Sequence, residues 1–125
     1  MTRREQRIKI VFSIYQYLLT GKDIDEILNE NLDIDDRESI SFIVSNTIET
    51  LNHLDELQQQ IQSKLVDWDF DRLGYIEQAI LLSSANEINS GNIDKPIVIN
   101  EALEIAKIYC DDDAPGLING VLDNL

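Results

Sequence analysis

Residues 99–125, INEALEIAKIYCDDDAPGLINGVLDNL, read as two helices joined by a short acidic hinge. Ile99, Ala102, Leu103 and Ala106 recur at the spacing of one helical face, while Glu101, Glu104 and Lys107 point elsewhere. Asp94 and Pro96 mark the start of the first helix. They supply a capping side chain and a ring whose missing N–H costs nothing in the first turn. Asp113 and Pro115 repeat that signal for the second helix, whose apolar stripe is Leu117, Ile118, Val121, Leu122 and Leu125. Gly116 and Gly120 lie four apart and flatten one side of it. Glycine inside a helix costs about 0.5–1 kcal/mol relative to alanine, so the flat side is expected to lie against another helix or a partner. Asn119, between the two glycines, needs a hydrogen-bond partner if buried.

The helical period continues toward the amino terminus. Thr2 and Glu5 form a capping box for a first helix that stops at Gly21. Ile8, Val11, Phe12, Tyr15, Leu18 and Leu19 are its expected core face. A short helix follows over roughly residues 23–31. Asp35, with Glu38, is expected to cap a long periodic run carrying Ile40, Ile43, Val44, Ile48, Leu51, Leu54, Leu57, Ile61 and Leu65. No glycine or proline interrupts this run, so one helix or two fit it equally. Trp68, Phe70 and Gly74 mark a loop, and residues 73–89 form the next helix. The whole reads as all-α, about six to seven helices in two small packed bundles. Residues 1–125 are expected to be a single domain with a short basic arm over residues 1–9.

Composition narrows the function classes. Hydrophobic residues make up 43% of the chain, enough for one modest core and too many for a disordered tail. No apolar run approaches the length of a membrane span, and MTRREQR is not a secretory leader. One cysteine, Cys110, allows no internal disulfide, so a reducing, cytoplasmic setting is expected. The net charge is −14, yet residues 1–9 hold Arg3, Arg4, Arg7 and Lys9 against Glu5 alone, a local +3 that leaves −17 for the rest.

Catalytic chemistry is sparse. His53, inside the long helical run, reads as a solvated surface group. Cys110 precedes Asp111, Asp112 and Asp113, a setting that raises a thiol pKa and makes a poor nucleophile. The three aspartates lack the glycine and spaced oxygens of a calcium loop, and suit the positive end of the last helix instead. No glycine-rich phosphate loop is present. Neither enzyme activity, nor a cofactor, nor a metal site is expected.

The basic end is different, because stability does not explain it. Cations at a helix amino end oppose the macrodipole. By i, i+1, i+4 spacing Arg3, Arg4 and Arg7 are expected to share one side of the first turns, with Lys9 on the other. Two readings fit: a solvated end, or an arm whose guanidinium forks grip phosphate and stack on bases.

The carboxy-terminal half strongly resembles the signature of the NusB family, bacterial transcription antitermination factors. A P-x-x-V-x-I-N-E-A-x-x-L-A-K run there precedes an acidic hinge and F-V-N-G-V-L-D. Pro96, Ile99, Asn100, Glu101, Ala102, Ala106, Lys107, Asp113, Asn119, Gly120, Val121, Leu122 and Asp123 match. Gly116, Leu117 and Ile118 stand where Lys, Phe and Val are usual. The resemblance covers the whole chain and implies two helices in the long middle run. It also implies an arginine-rich RNA-binding motif in which Arg3, Arg4 and Arg7 match, while Glu5 and Gln6 replace the usual Arg and Ala. Tyr15 matches a family tyrosine; stacking on a base and a core role both fit it.

The resemblance implies partners too. NusB proteins pair with NusE, also a ribosomal protein, on boxA RNA, and act indirectly on the RNA polymerase elongation complex. The helix with the family's L-R-x-A-x-x-E run contributes; here it reads LLSSANE, with Leu82 for Arg and Glu87 retained. Glu87, Asp113 and Leu117 are the implied partner-facing residues. The acidic remainder suits a basic ribosomal partner. The expected function is antitermination in ribosomal RNA operons by binding boxA-type RNA together with NusE. The alternative is a diverged interaction module that binds NusE but little RNA. The accessory domain of an RNA methyltransferase shares the fold, but no cofactor-binding domain follows.

Overall fold

The computed structural model describes residues 1–32 and 36–125, and among them all regular structure is helical. α1 (Arg3–Thr20) opens on the expected capping box: Glu5 N–H donates to Thr2 Oγ1, and Thr2 N–H donates to Glu5 Oε1. Gly21 closes it in the left-handed region, at φ 69°, a conformation that costs a side chain but not glycine. α2 (Ile24–Asn31) follows, capped by Asp23. The cap expected at Asp35 lies outside the described residues. Asp36 caps α3 (Arg37–Asn52), accepting from the N–H groups of Glu38 and Ser39.

The long run is two helices. α3 ends and α4 (Leu54–Gln62) begins at His53, which leaves helical geometry with ψ 24°. Its N–H turns to the carbonyl of Thr50, and its own Nδ1 sits 3.0 Å from the Glu49 carbonyl that a continuous helix would have used. A side chain that takes over a backbone acceptor breaks the ladder without glycine or proline.

A single 3-10 turn, Phe70–Arg72, leads to α5 (Tyr75–Ser90). Phe70 is buried while Trp68 is half exposed. Gln62 clamps the loop, accepting from Phe70 N–H and donating to the Trp68 carbonyl. Helix α5 is buried along an unbroken run from Gln78 to Glu87, because α1, α3, α4, α6 and α7 all pack on it. A helix surrounded this way needs no polar stripe, and Ala79, Ser83, Ser84 and Ala85 let its neighbours approach.

α6 (Lys95–Tyr109) and α7 (Ala114–Asp123) match the expected pair. Their starts differ in one respect: Asp94 and Asp113 occupy the cap positions, but neither side chain makes a capping bond. For Asp113 the backbone is already helical (φ −80°, ψ −18°), not the extended form a cap requires. Lys95 Nζ closes the far end of α7, donating to the carbonyls of Asp123 and Leu125.

The all-α, two-bundle expectation holds, with seven α-helices among the described residues. α1 packs with α2 and α3, α6 packs with α7, and α5 is common to both groups. The core face of α1 is corrected in part. Val11 is buried and Ile8, Tyr15 and Leu18 pack half-buried against the core, as expected, but Ile10 and Ile14 join Val11 inside, Phe12 is half-buried and Leu19 is exposed. With α2, α3 and α5 all on α1, the buried side is set by its neighbours and not by the largest side chains. No helix among the described residues is long and apolar enough to cross a membrane.

Candidate nucleic-acid and partner interface

The basic residues lie on α1 itself, since the helix begins at Arg3. They do not form one free cluster. Arg3 and Arg7, four apart, both face Phe42 of α3. The Arg3 guanidinium carbon lies 3.9 Å from the ring centroid and that of Arg7 5.7 Å. Arg3 also donates to Gln6 Oε1 at 2.7 Å and is otherwise exposed. Arg4 turns the other way, onto α6. Its Nε and Nη2 donate to Glu101 Oε2 and Oε1 at 2.8 and 3.2 Å. The expectation that all three arginines share a side is therefore corrected: about 100° separates successive residues on a helix, enough to send Arg4 to a different neighbour.

Arg7 and Glu87 meet inside the protein. Nε donates to Glu87 Oε2 and Nη2 to Oε1, both at 3.0 Å, and each side chain is only 9% exposed. The two residues expected to face different partners face one another. Around them Gln6, buried, donates to Ser39 Oγ at 2.9 Å, and Ser39 in turn donates to Asp36 Oδ2 at 2.7 Å. The first turn of α1 is thereby fixed to α3 and α5.

Charge pairing sets the ionisation of the rim. The Arg4 guanidinium holds the Glu101 carboxyl below its ordinary range. Burial first, and then the Asp111 charge, push the Glu77 carboxyl up. Burial, with Glu77 and Asp111, lifts the Cys110 thiol to about 11. That agrees with an unreactive cysteine.

Tyr15 is half-buried and meets Phe12 edge-on, with centroids 6.0 Å apart. Phe12 meets Tyr109 of α6 in the same way at 4.9 Å. Arg4 and Tyr15 lie eleven residues apart on α1, hence on nearly the same side.

At the other end, Asp113 and Leu117 line one hollow together with Trp68 and Glu77. Leu117 also borders a groove with Val66, Trp68, Gly116 and Gly120. Val66 is 78% exposed and Trp68 52%. The glycine face does not lie against a helix of this chain: a Cβ built at either glycine meets nothing within 4 Å. Asn119 is exposed, so it needs no internal partner. Glu77, Asp111 and Asp113 put carboxylates in the hollow, beside Arg72, while Lys64 is the one charged residue lining the groove.

Sequence reasoning missed Phe42, Gln6 and Ser39, and it set Glu101 aside as outward-pointing. Phe42 carried the one available signal, an aromatic residue in a stretch otherwise read for aliphatic spacing.

The chain is similar along its whole length to known proteins. The family model described as the NusB family matches residues 1–125. The transcription antitermination protein NusB of Sulfurovum sp. (strain NBC37-1) is 40% identical, over 98% of this chain and 95% of that protein. The protein of the same name from Thermoanaerobacter sp. (strain X514) is 38% identical, over 98% and 88%. Among solved structures, T. maritima NusB superposes with a TM-score of 0.93 at 25% identity, over 99% of this chain and 89% of that one. A solved complex of antitermination factors NusB and NusE with double-stranded RNA contains a chain matching with a TM-score of 0.87 at 24% identity, over 99% and 96%. The match runs from the arginine-bearing first helix to the last residue of α7, and by sequence, fold and motif the chain belongs to the NusB family.

Proposed function

We propose that this chain is a transcription antitermination factor, a cytoplasmic adaptor without catalysis that binds boxA-type RNA together with the ribosomal protein NusE. In this reading it acts as one domain and supports transcription of ribosomal RNA operons. The observation that carries the reading is the whole-length match to relatives named for antitermination. The geometry refines the roles. Arg3 and Arg4, the exposed cations of α1, contact RNA, and Tyr15 extends the same side as Arg4. Arg7 and Glu87 hold the first turn in place from within. Asp113 and Leu117 belong to the partner face, where an apolar groove bordered by Trp68 adjoins a hollow holding Glu77, Asp111 and Asp113. That chemistry suits a basic protein whose apolar residues fill the groove while its cations meet those carboxylates.

A second reading is favoured by one specific observation: Arg4 and Arg7 already hold carboxylates. A chain whose cations are spent internally is an interaction module with little RNA affinity of its own.

Titrating NusE from the same organism, with and without boxA RNA, separates the two. Binding energies are reciprocal, so RNA that binds the pair better than either protein must tighten the pair by the same factor. Tight pairing with no RNA effect selects the interaction module. No pairing in either condition overturns the proposal. Leu117→Glu is the interface control, since Glu87 is buried and its replacement would report on folding.

A further inference from the structure

A cleft of about 500 Å³ opens between the start of α1, the outer face of α3 and the end of α5. Arg3 and Phe42 line it together with Ser45, Asn46, Ser90 and Asn92. We infer that this cleft is a nucleobase subsite: one RNA base stacks on the Arg3–Phe42 platform and is held along its edge by α3 and α5. The inference rests on the proposed RNA binding and adds the place and the ligand group.

The platform is built before any ligand arrives. Arg3 lies over the Phe42 ring at 3.9 Å and is tied by its 2.7 Å bond to Gln6, while Gln6 itself is anchored to Ser39. A guanidinium this close over an aromatic ring leaves its other side for a second π-system. Preorganisation of this kind removes the ordering cost from the binding step.

The cleft admits a base and not a phosphate. Glu38 and Glu87 border it against a single lining arginine, Arg3. Glu87 is neutralised by Arg7, but Glu38 is an exposed carboxylate that repels an anion. A neutral base enters, and its phosphate stays at the outer edge of Arg3.

The cleft offers both kinds of hydrogen-bonding group to a base edge. Ser45 donates its hydroxyl proton to the Phe42 carbonyl, Ser90 donates to the Glu87 carbonyl, and Asn46 Nδ2 donates to the Phe42 carbonyl. Each keeps lone pairs, and Asn46 keeps its second amide N–H. Asn92 and Ser41, which also line the cleft, add an amide and a hydroxyl. Every base carries donors and acceptors on its edge, so the cleft suits a base edge without selecting one base.

The test uses the full chain at low salt with oligo(A), oligo(C) and oligo(U) of equal length, and the same oligomers carrying 2-aminopurine. The expected result is binding of all three oligomers, with 2-aminopurine fluorescence quenched on binding. Arg3→Lys keeps the charge and loses the planar surface, so it should cost about tenfold in oligo(A) affinity with the salt dependence retained. Phe42→Leu should do the same, its folding checked by thermal melting; if it does not fold, Arg3→Lys and Ser90→Ala, both at exposed positions, carry the test. Affinity unchanged in Arg3→Lys, with no change in 2-aminopurine fluorescence, overturns the subsite and leaves RNA binding standing. No binding to any oligomer overturns the subsite, whereas the proposed function stands or falls with the boxA and NusE titration.

Discussion

Arg7 and Glu87, eighty residues apart in sequence, are joined by a buried fork, Nε to Oε2 and Nη2 to Oε1, each 3.0 Å long. The fork ties the amino-terminal turn of α1 to the last buried turn of α5. Removing one member of such a pair leaves the other charge buried and uncompensated, which costs about 3–5 kcal/mol. Glu87→Gln or Arg7→Ala should therefore lower the urea midpoint strongly. The double replacement Arg7→Met with Glu87→Leu should recover most of that loss, because apolar residues of similar volume suit a dry site. A single variant as stable as the parent would show the fork to be a surface pair in solution.

The glycines of α7 make a prediction of opposite sign. Nothing lies within 4 Å of a Cβ at Gly116 or Gly120, and neither has the positive φ that only glycine tolerates. Each glycine pays the backbone entropy cost of a helix without relieving a clash. Gly120→Ala should stabilise the isolated chain by about 0.5–1 kcal/mol, and Gly116→Ala should act in the same direction. Both should weaken NusE binding, because the methyl groups fill the floor of the Trp68 groove. A rise in melting temperature together with a loss of partner affinity is the expected signature.

Acid unfolding should show two carboxylates working in opposite directions. The Glu101 carboxyl is held below its ordinary 4.5 by Arg4, so the folded state binds that proton less well than the unfolded state. Its stabilisation is fully present above the unfolded value and is lost as pH falls through the folded one. Glu101→Gln should flatten this acid limb. The Glu77 carboxyl is raised by burial and by Asp111, so its ionised form opposes folding above the raised value. Glu77→Gln should stabilise the protein at neutral pH and have little effect in acid. Urea melts across this pH range check both signs.

Much of the fold was legible because helix boundaries are local. The Thr2–Glu5 box, Gly21, and the α6–hinge–α7 pair follow from side chains acting within a few residues of themselves. The break at His53 was hidden, since it depends on one ring nitrogen finding one carbonyl. The site was less legible. Arg3, Arg4 and Arg7 were visible as cations, but their partners Phe42, Glu101 and Glu87 lie far away in sequence, and only packing brings them together. The buried side of α1 was legible only in part for the same reason. Ile8, Val11, Tyr15 and Leu18 do pack on the core, but Ile10 and Ile14 are chosen by α2, α3 and α5 around the helix, and Leu19 is left outside.

These pairings also fix how strongly salt should act on RNA binding. Three or four free cations would give a slope of about −2 to −3 in log affinity against log salt, at roughly 0.7 per phosphate on a single strand. Arg7 is buried against Glu87, so Arg3 and Arg4 remain, and the slope for the chain alone should be near −1.4. Arg4 must share its guanidinium with Glu101 or release it. Glu101→Gln should then raise RNA affinity by freeing Arg4, while Arg4→Gln should lower affinity and slope together. Arg7→Lys, if folded, should leave the slope unchanged. A slope near −3 that falls on replacement of Arg7 would mean that RNA opens the Arg7–Glu87 fork. In that case Glu87 would be released toward the partner in the same step, coupling the two binding events through one buried pair.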